Sequence, residues 1–341
     1  MKTNKSIKFL IIVIFSIFSI ILGIVVGGGG DNFFQIIQII LHKIFGLELS
    51  GDIPKTMVSI IWNIRIPRVF IAFLVGGMLS VSGVIVQSIL RNPLASSYTI
   101  GVSSGASLGI GVFILLETLS FSFSYFVYPI AGFICSILTV IFVISLSKKI
   151  DRNMGNNTII LIGMVISLFL SSFLTLLTSL KKESLSSILI WQLGSFSSRG
   201  WGYFLSIIPF FLIGVIGTLF LSKEMDILTF GDEMSKSVGV NLKSIKIKLL
   251  ILASILTGAS IASSGIIGFI DLITPHISRK IFGANHKIVI PVSLIIGGSF
   301  MVLFDVISRI IIYPAELPIS TINALIGTPI FCYIFFKGNR R

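Results

Sequence analysis

Residues Gly76–Ala106, GGMLSVSGVIVQSILRNPLASSYTIGVSSGA, decide the fold, because two apolar helical runs meet there at a charged corner. Pro93 lacks a backbone N–H and disfavours helix at Asn92, so we expect a turn within Arg91–Ala95. After the corner, glycines that allow close helix packing recur every fourth residue, at Gly101, Gly105 and Gly109. A simple membrane anchor needs neither feature, whereas a helix bundle around a polar pathway uses both.

The composition of the 341 residues indicates a polytopic membrane protein. Hydrophobic residues make up 54% and charged residues 11%, against averages of about 45–50% and 25% in soluble domains. The charges cluster between uncharged runs of roughly 20 residues, the length that a helix needs to cross the hydrocarbon core. A β-barrel would alternate in segments of about ten residues. We therefore predict an all-α fold that forms one transmembrane domain over residues 1–341.

The apolar runs predict about ten transmembrane helices, of which the eighth is short. They cover residues 8–28, 68–89, 96–116, 122–147, 158–179, 201–222, 247–264, 266–280, 289–310 and 319–336. Two further apolar stretches are too short or too polar to be spans. We expect a re-entrant or interfacial helix within 184–196 and a surface helix over 31–45.

Basic residues fall unevenly on the two sides of this topology. The side that holds both termini carries 18 of the 26 lysines and arginines, and the other side carries eight. By the positive-inside rule, we expect a protein of the cell membrane with both termini in the cytoplasm. The net charge of +13 is then mainly a topology signal, and it does not indicate a nucleic-acid partner.

The sequence contains no recognisable enzyme motif. It lacks a G-x-x-x-x-G-K-[ST] phosphate loop, an H-E-x-x-H zinc motif and an aspartate-rich pair for magnesium. The histidines lack metal-ligand spacing, and we interpret His42, His276 and His286 as satisfied or solvated side chains. We therefore expect no catalytic residue, no metal site and no cofactor. Any ATP hydrolysis must take place in another chain.

Successive segments of the chain resemble the signatures of the FecCD family. They are RIPR at Arg65–Arg68, the Gly76–Ala106 stretch, WQLGS at Trp191–Ser195, GDEMSKSVGVN at Gly231–Asn241, GFIDLITPHISR at Gly268–Arg279, and the stretch from Glu316 to Pro329. The family comprises the permease subunits of type II ABC importers for ferric siderophores, haem and cobalamin. The resemblance covers nearly everything after Asn63, in order and at compatible spacing.

The resemblance implies a two-fold dimer, homo- or heteromeric, with the translocation path along the subunit interface. Two cytoplasmic ATPase subunits would bind beneath the dimer, and an extracytoplasmic substrate-binding protein would dock outside. The implied mechanism is alternating access. Ferric siderophore is the first choice of solute on family frequency, with haem and cobalamin behind it.

The resemblance also implies a docking site on the outer face. In similar permeases, arginines at the positions of Arg65, Arg68 and Arg309 receive glutamates of the binding protein. Arginine suits this task because its planar guanidinium pairs bidentately with carboxylate and keeps its charge. The alternative is that these side chains snorkel to the membrane interface near the span ends.

A cytoplasmic loop over residues 223–248 resembles the family segment that lies in a groove on the ATPase. We expect a short helix there, ended by glycine. The implied coupling residues are Asp232, Glu233, Ser235, Val238 and Gly239. The alternative is a solvated loop.

The corner is implied to be a cytoplasmic gate. In similar permeases, residues that match Asn92 and Leu94 narrow the cytoplasmic end of the pathway. A second constriction comes from the start of the fifth span, near Asn156 and Asn157 in this sequence. The alternative is a tight turn without gating.

Carboxylates in apolar runs leave other classes of function open. Glu117, Asp271 and Asp305 lie within or at the ends of such runs, and intramembrane carboxylates often mark proton or ion relays. An ion-coupled secondary transporter is therefore the alternative, and a membrane scaffold is a third interpretation. Asp305 and Glu316 match acidic positions of the family, whereas Asp271 stands where the family usually has glycine. We expect Asp271 to pair with a cation or to line a widened cavity.

Overall fold

The computed structural model describes residues 5–27, 32–49, 53–116, 124–151, 154–180, 185–237 and 241–338, which are almost entirely helical. The α-helices of these residues are α1 (Lys5–Val25), α2 (Phe33–Phe45), α3 (Lys55–Ile60), α4 (Ile66–Leu90), α5 (Val102–Leu115), α6 (Ser124–Ile150), α7 (Asn156–Leu180), α8 (Leu185–Gln192), α9 (Trp201–Phe220), α10 (Ser222–Leu228), α11 (Asp232–Ser237), α12 (Leu242–Ser264), α13 (Ile270–Phe282), α14 (His286–Ile310) and α15 (Ile319–Gly338). A π-helical turn over Ile61–Arg65 leads into α4, and a 3-10 helix over Ser97–Ile100 precedes α5.

The predicted all-α fold of about ten membrane helices is confirmed. The predicted spans correspond to α1, α4, α5, α6, α7, α9, α12, α13, α14 and α15. Seven helices of the described residues are long and apolar enough to cross a membrane. Helix α13 has 13 residues, or about 20 Å of length, so it cannot cross a hydrocarbon core of about 30 Å by itself.

The predicted third span, 96–116, is not one continuous helix. The chain first makes the 3-10 helix, whose first turn is capped by Ser96 Oγ, which accepts from the backbone N–H of Tyr98 at 3.2 Å. Gly101 then takes a left-handed conformation with φ of 86°, and α5 begins after it. Only glycine adopts this conformation at no steric cost, so Gly101 fixes the break.

Helix α4 lies at the centre of the bundle, and nearly all of its side chains are buried. Helices α9, α12, α13 and α14 pack around it. Two glycines allow neighbouring backbones to approach closely. A Cβ on Gly76 would overlap the carbonyl of Gly297 in α14, and a Cβ on Gly83 would overlap the carbonyl of Asp271 in α13. Small residues at helix contacts are how membrane helices gain packing energy.

The predicted close packing along the glycine stripe after the corner is also confirmed. A Cβ on Gly105 would overlap Thr139 of α6, and a Cβ on Gly109 would overlap Cys135 of the same helix. These glycines therefore let α5 pack closely against α6.

The two predicted non-spanning helices are present. Helix α8 lies within 184–196, and the chain after it is pinned where Ser195 N donates to Ser264 O at 2.9 Å. Helix α2 begins at its cap Asn32 and buries Ile36 and Ile39, while Phe34 on the opposite face is exposed.

Candidate functional site

A buried ion-pair cluster lies at the N-terminal end of α4. Arg68 Nη2 lies 2.7 Å from Asp305 Oδ1 of α14, and Arg68 Nη1 lies 2.6 Å from Glu316 Oε1 in the segment before α15. Arg68 is 5% exposed and Asp305 is fully buried. Paired bidentate contacts of this kind fix geometry as well as charge, so the cluster sets the position of α14 against α4.

Two more arginines bring α1 into the same cluster. Arg309 Nη2 lies 3.2 Å from Asp305 Oδ2 and also donates to Gly23 O at 3.1 Å. Arg65 Nη1 donates to Ile24 O at 3.3 Å. Because the last carbonyls of a helix have no partner within that helix, the arginines satisfy acceptors at the end of α1.

The structure thus brings together the three predicted docking arginines, Arg65, Arg68 and Arg309, and it buries all three. Their side chains do not reach out to solvent, as a snorkelling residue or a free docking residue would. Their role in docking stays a prediction. The sequence places acidic Asp305 and Glu316 near span ends on the same side as the arginines, which is compatible with ion pairs there. It does not show which arginine pairs with which carboxylate.

The corner at the C-terminal end of α4 forms the predicted turn. Arg91 takes a left-handed conformation with φ of 51°, and Asn92 N donates to Gln87 O at 3.3 Å. Asn92 Oδ1 accepts from Leu94 N at 2.9 Å, which closes the turn around Pro93. Leu94 is 45% exposed, so its side chain is available to a pathway or a partner.

The second predicted gate position has a local structural partner. Asn156 Oδ1 accepts from Lys246 Nζ at 3.2 Å, and Lys246 Nζ also donates to Met154 O at 3.3 Å. Lys246 is 1% exposed, so these acceptors satisfy a buried charge, while Asn157 is exposed. The gate role of Asn92, Leu94, Asn156 and Asn157 stays a prediction. In the sequence, Lys246 is only one of the basic residues that indicate the membrane orientation.

The predicted coupling segment begins with the short helix α11. Ser235 Oγ lies 2.6 Å from Gly231 O and 3.0 Å from Ile227 O, so this buried hydroxyl holds α11 against α10. The backbone of Asp232 and Glu233 lies in α11. The predicted coupling residues Val238 and Gly239 lie outside the described residues.

A polar bridge that sequence analysis missed connects α10 to α14 and α4. Asp226 Oδ1 accepts from His286 N at 2.9 Å and lies 2.6 Å from His286 Nδ1. The other ring nitrogen, Nε2, lies 2.6 Å from Ser88 Oγ. The expectation that His286 is a satisfied histidine is confirmed. The partners Ser88 and Asp226 lie far from His286 in sequence, so no local motif marked the bridge.

The corner and the coupling segment lie side by side. Arg91 Nη1 is 3.2 Å from the position that a Cβ on Gly231 would occupy. Gly231 has a φ of 106°, a conformation that other residues rarely adopt. The end of α4, the polar bridge and the start of α11 therefore form one connected region, about 33 Å along α4 from Arg68.

These features define a class of protein. The chain is a multi-pass helical membrane subunit whose central helix is fixed to its neighbours at one end and meets a short loop helix at the other. The model of the FecCD transport family matches residues 12–337, so the chain belongs to that family. It has the fold of a type II ABC importer permease.

Individual relatives agree with this assignment. An uncharacterized ABC transporter permease protein of Bacillus subtilis, YvrB, is 38% identical over 340 residues, which cover 100% of this chain and 96% of YvrB. The Fe(3+)-citrate import system permease protein YfmD of the same organism is 34% identical over 313 residues, covering 86% of this chain and 92% of YfmD. A solved structure described as an inward-facing metal-chelate type ABC transporter superposes with a TM-score of 0.78. Its sequence is 29% identical, and the match covers 96% of this chain and 97% of the other.

Membership of this family makes the chain a permease subunit and not an enzyme. Its relatives are ABC transporter permeases, in which ATP is hydrolysed by a separate subunit.

Replacing Arg68 with glutamine should destabilise the protein more than the same change at exposed Lys55. The change leaves Asp305 buried with Arg309 alone as partner, and breaking a buried pair costs about 3–5 kcal/mol, of which we expect the lower end. Thermal unfolding in detergent measures the effect. The double variant Arg68→Gln with Asp305→Asn should be less destabilised than the sum of the single changes. An unfolding midpoint for Arg68→Gln equal to that of Lys55→Gln would contradict the cluster's structural role.

Proposed function

We propose that the chain imports a metal chelate, in the first place a ferric siderophore, from a binding protein into the cytoplasm by alternating access. The observation that carries the proposal is the family match over residues 12–337. Similarity to a transporter of the metal-chelate type and to an Fe(3+)-citrate permease supports the solute class. Haem and cobalamin are the other members of the same solute class. Discrimination among these solutes would reside mostly in the binding protein.

The proposed assembly contains two permease subunits, two ATPase subunits and one binding protein. The two permeases would be two copies of this chain or this chain with a second permease. The translocation path would run between the two bundles, because closed two-fold assembly around a shared path is common among membrane proteins.

The proposed orientation places both termini and the Arg91 end of α4 in the cytoplasm of the cell. The asymmetry of 18 against eight basic residues supports it. In this orientation residues 223–248 face the ATPase, within a single transmembrane domain over 1–341. The Arg68 end then faces the binding protein.

Docking at the Arg68 end is supported by the arrangement of the cluster. Arg68 is held by Asp305 and Glu316, and Arg309 is held by Asp305. The Glu316 side chain is 31% exposed, so an acidic partner could approach the cluster beside it. Such a partner would pair with arginines whose geometry is already fixed, which lowers the entropy cost of binding.

Coupling would pass from α11 to the corner through contacts that lie next to one another. Movement of α11 would reach α10 through Ser235. Asp226 joins α10 to His286, whose other ring nitrogen contacts Ser88 of α4. Asp232, Glu233, Val238 and Gly239 would contact the ATPase, whose closure moves α11. Asn92 and Leu94 of the corner, with Asn156 and Asn157, would then open or close the path.

An ion-coupled carrier has less support than the importer. Asp305 lies between two arginines, so it is engaged in ion pairs and is poorly suited to relay a proton. Glu117 lies outside the described residues. The family match favours a transporter that uses ATP over a carrier or a scaffold.

The solute is identified by ATPase stimulation in the reconstituted complex. With the cognate binding protein, ferric siderophore should stimulate hydrolysis more than haem or cobalamin, and uptake should survive proton uncouplers while ATP is maintained. Uptake by this chain alone, abolished by uncouplers, would instead establish a secondary carrier. Absence of any solute-dependent ATPase stimulation would favour a scaffold.

Reversing the charge at Arg65 should weaken association with the binding protein and flatten its dependence on salt. Arg65→Glu is compared with Lys55→Glu, which makes the same charge change at an exposed lysine. Affinity is measured in lipid nanodiscs at two or more salt concentrations. Unchanged affinity for Arg65→Glu would remove Arg65 from the docking site. Equal losses of affinity for both variants would indicate that charge acts only through the long-range electrostatic field of the protein.

Two variants should separate coupling from gating. Asp226→Asn keeps an acceptor for His286 N but loses the charge, so solute-stimulated ATP hydrolysis should fall several-fold. Leu94→Trp should reduce transport more than hydrolysis, because the larger side chain obstructs the path. Glu48→Gln, at an exposed residue of another segment, is the control and should change neither rate. Normal transport by the Leu94 variant would refute the gate.

A further inference from the structure

A cavity of about 390 Å³ lies apart from the arginine cluster and the polar bridge. It is formed by the turn before α5, the start of α13 and the start of α15. Its polar lining comes from Ser96, Tyr98, Asp271 and Ser320. Its volume falls within the range of about 300–1,000 Å³ that is usual for small-molecule sites. The cavity can therefore hold a small solute or one arm of a larger one, but not a whole siderophore.

Asp271 lines this cavity and has an unsatisfied carboxylate oxygen. Its Oδ2 accepts from Ser97 N at 3.1 Å, whereas its Oδ1 is buried without a hydrogen-bond partner among the described residues. The residue is 1% exposed. Tyr98 also lines the cavity, and its hydroxyl is buried. Buried polar groups nearly always have partners, so Asp271 Oδ1 is the atom that a ligand in the cavity would satisfy.

The surrounding backbone holds Asp271 in a fixed position. Gln87 Nε2 of α4 donates to the Asp271 carbonyl at 3.3 Å, on the side where Gly83 allows close approach. Just before α13, Phe269 has a φ of 67°, and Ile270 N donates to Gly268 O at 2.9 Å. This tight γ-turn is strained for a bulky residue, and strained backbone often occurs at functional sites.

The lining favours a particular chemistry. Asp271 is the one carboxyl residue among the described lining residues, and none of them is basic. The hydroxyls of Ser96, Tyr98 and Ser320 can accept further hydrogen bonds from a donor. The rest of the wall is apolar, from Ile266, Phe269, Leu272 and Ala324. A ligand that matches both the carboxylate and the apolar wall has a cationic N–H donor attached to a short aliphatic chain.

We propose that the Asp271 cavity binds an organic monocation, namely a primary ammonium group carried on an aliphatic chain. The ammonium supplies the missing donor and counter-charge to Asp271 Oδ1, a charge-assisted hydrogen bond of the strong kind. The aliphatic part fills the apolar wall and gains the free energy of leaving water. A bare alkali ion has no part that fills the apolar wall, which is why the proposal specifies an amine.

Two kinds of ligand carry such an ammonium group: a metal chelate with an amine arm, and a free amine. If the proposed import of a metal chelate holds, it is an arm of the chelate, and the cavity contributes to the choice of cargo. If that import fails, a free amine remains as the ligand, because the cavity is a property of this chain alone. The two sources require separate measurements.

The first measurement uses n-butylammonium and the full permease chain, co-purified with its partner subunits in lipid nanodiscs. At constant ionic strength, n-butylammonium should raise the unfolding midpoint in a saturable way. Asp271→Asn retains an acceptor for Ser97 N but removes the charge, and its affinity for the amine should fall at least about tenfold. Asp271→Gly, which carries the usual family residue, should lose the effect entirely.

Matched controls make this measurement decisive. Asp151→Asn changes another carboxylate that accepts a backbone N–H, from Gly155 at 2.7 Å, and it should bind the amine as the unchanged protein does. Equal stabilisation by n-butanol, which is uncharged and similar in shape, would overturn the ammonium proposal. An effect of sodium or potassium alone would overturn it as well, as would no saturable effect of any of these solutes.

The second measurement distinguishes the sources. Uptake of an iron hydroxamate chelate with a free amine is compared with uptake of its N-acetylated form, each bound to the binding protein. A preference for the free amine that Asp271→Asn abolishes assigns the ammonium to the cargo. An equal rate for both chelates, with n-butylammonium binding retained, assigns the cavity to a free amine. Failure of all ATP-dependent uptake would refute the importer and leave the binding result intact.

Discussion

Close packing of backbones around α4 is the constraint on which the rest of the bundle depends. Membrane helices gain little from burying apolar surface against each other, so direct contact has to supply the packing energy. Gly76 against Gly297 and Gly83 against Asp271 bring the neighbouring backbones together. Because no larger side chain fits there, α4 keeps one position relative to α13 and α14. Both ends of the helix, and the groups that they carry, are placed by that packing.

The two ends of α4 are built differently, and the difference suits a transporter. At the Arg68 end, multiple ion pairs hold α4, α14 and the end of α1, which gives a stiff platform. At the other end, Asp226 Oδ1 contacts both the backbone N–H and the ring Nδ1 of His286, whose Nε2 meets Ser88 Oγ. The side chain of Asp226 is 35% exposed, so we expect this bridge to rearrange at lower cost than the buried arginine cluster.

Periodicity and turn chemistry predicted what is local in this structure. The ten helices, the Pro93 corner and the glycine packing follow from patterns within about 20 residues. The break at Gly101 was missed because an apolar run with no charge gives no signal of a left-handed residue. The ion pairs of the arginine cluster were not predicted, because Arg68 and Asp305 are 237 residues apart and the basic-residue count treats each arginine separately. Pairing across the bundle is visible only after the helices are packed.

Asp271 shows how a single departure from a family pattern acquires meaning in three dimensions. In sequence it is one carboxylate within an apolar run, at a position where the resemblance implies glycine. In the structure the packing against Gly83 and the turn at Phe269 hold its backbone, and Ser97 takes one of its two carboxylate oxygens. The residue lines a cavity whose described residues offer no counter-charge, and its other oxygen has no hydrogen-bond partner among them. A glycine there would leave only neutral hydroxyls and apolar groups, so aspartate at this position changes the chemistry of the cavity.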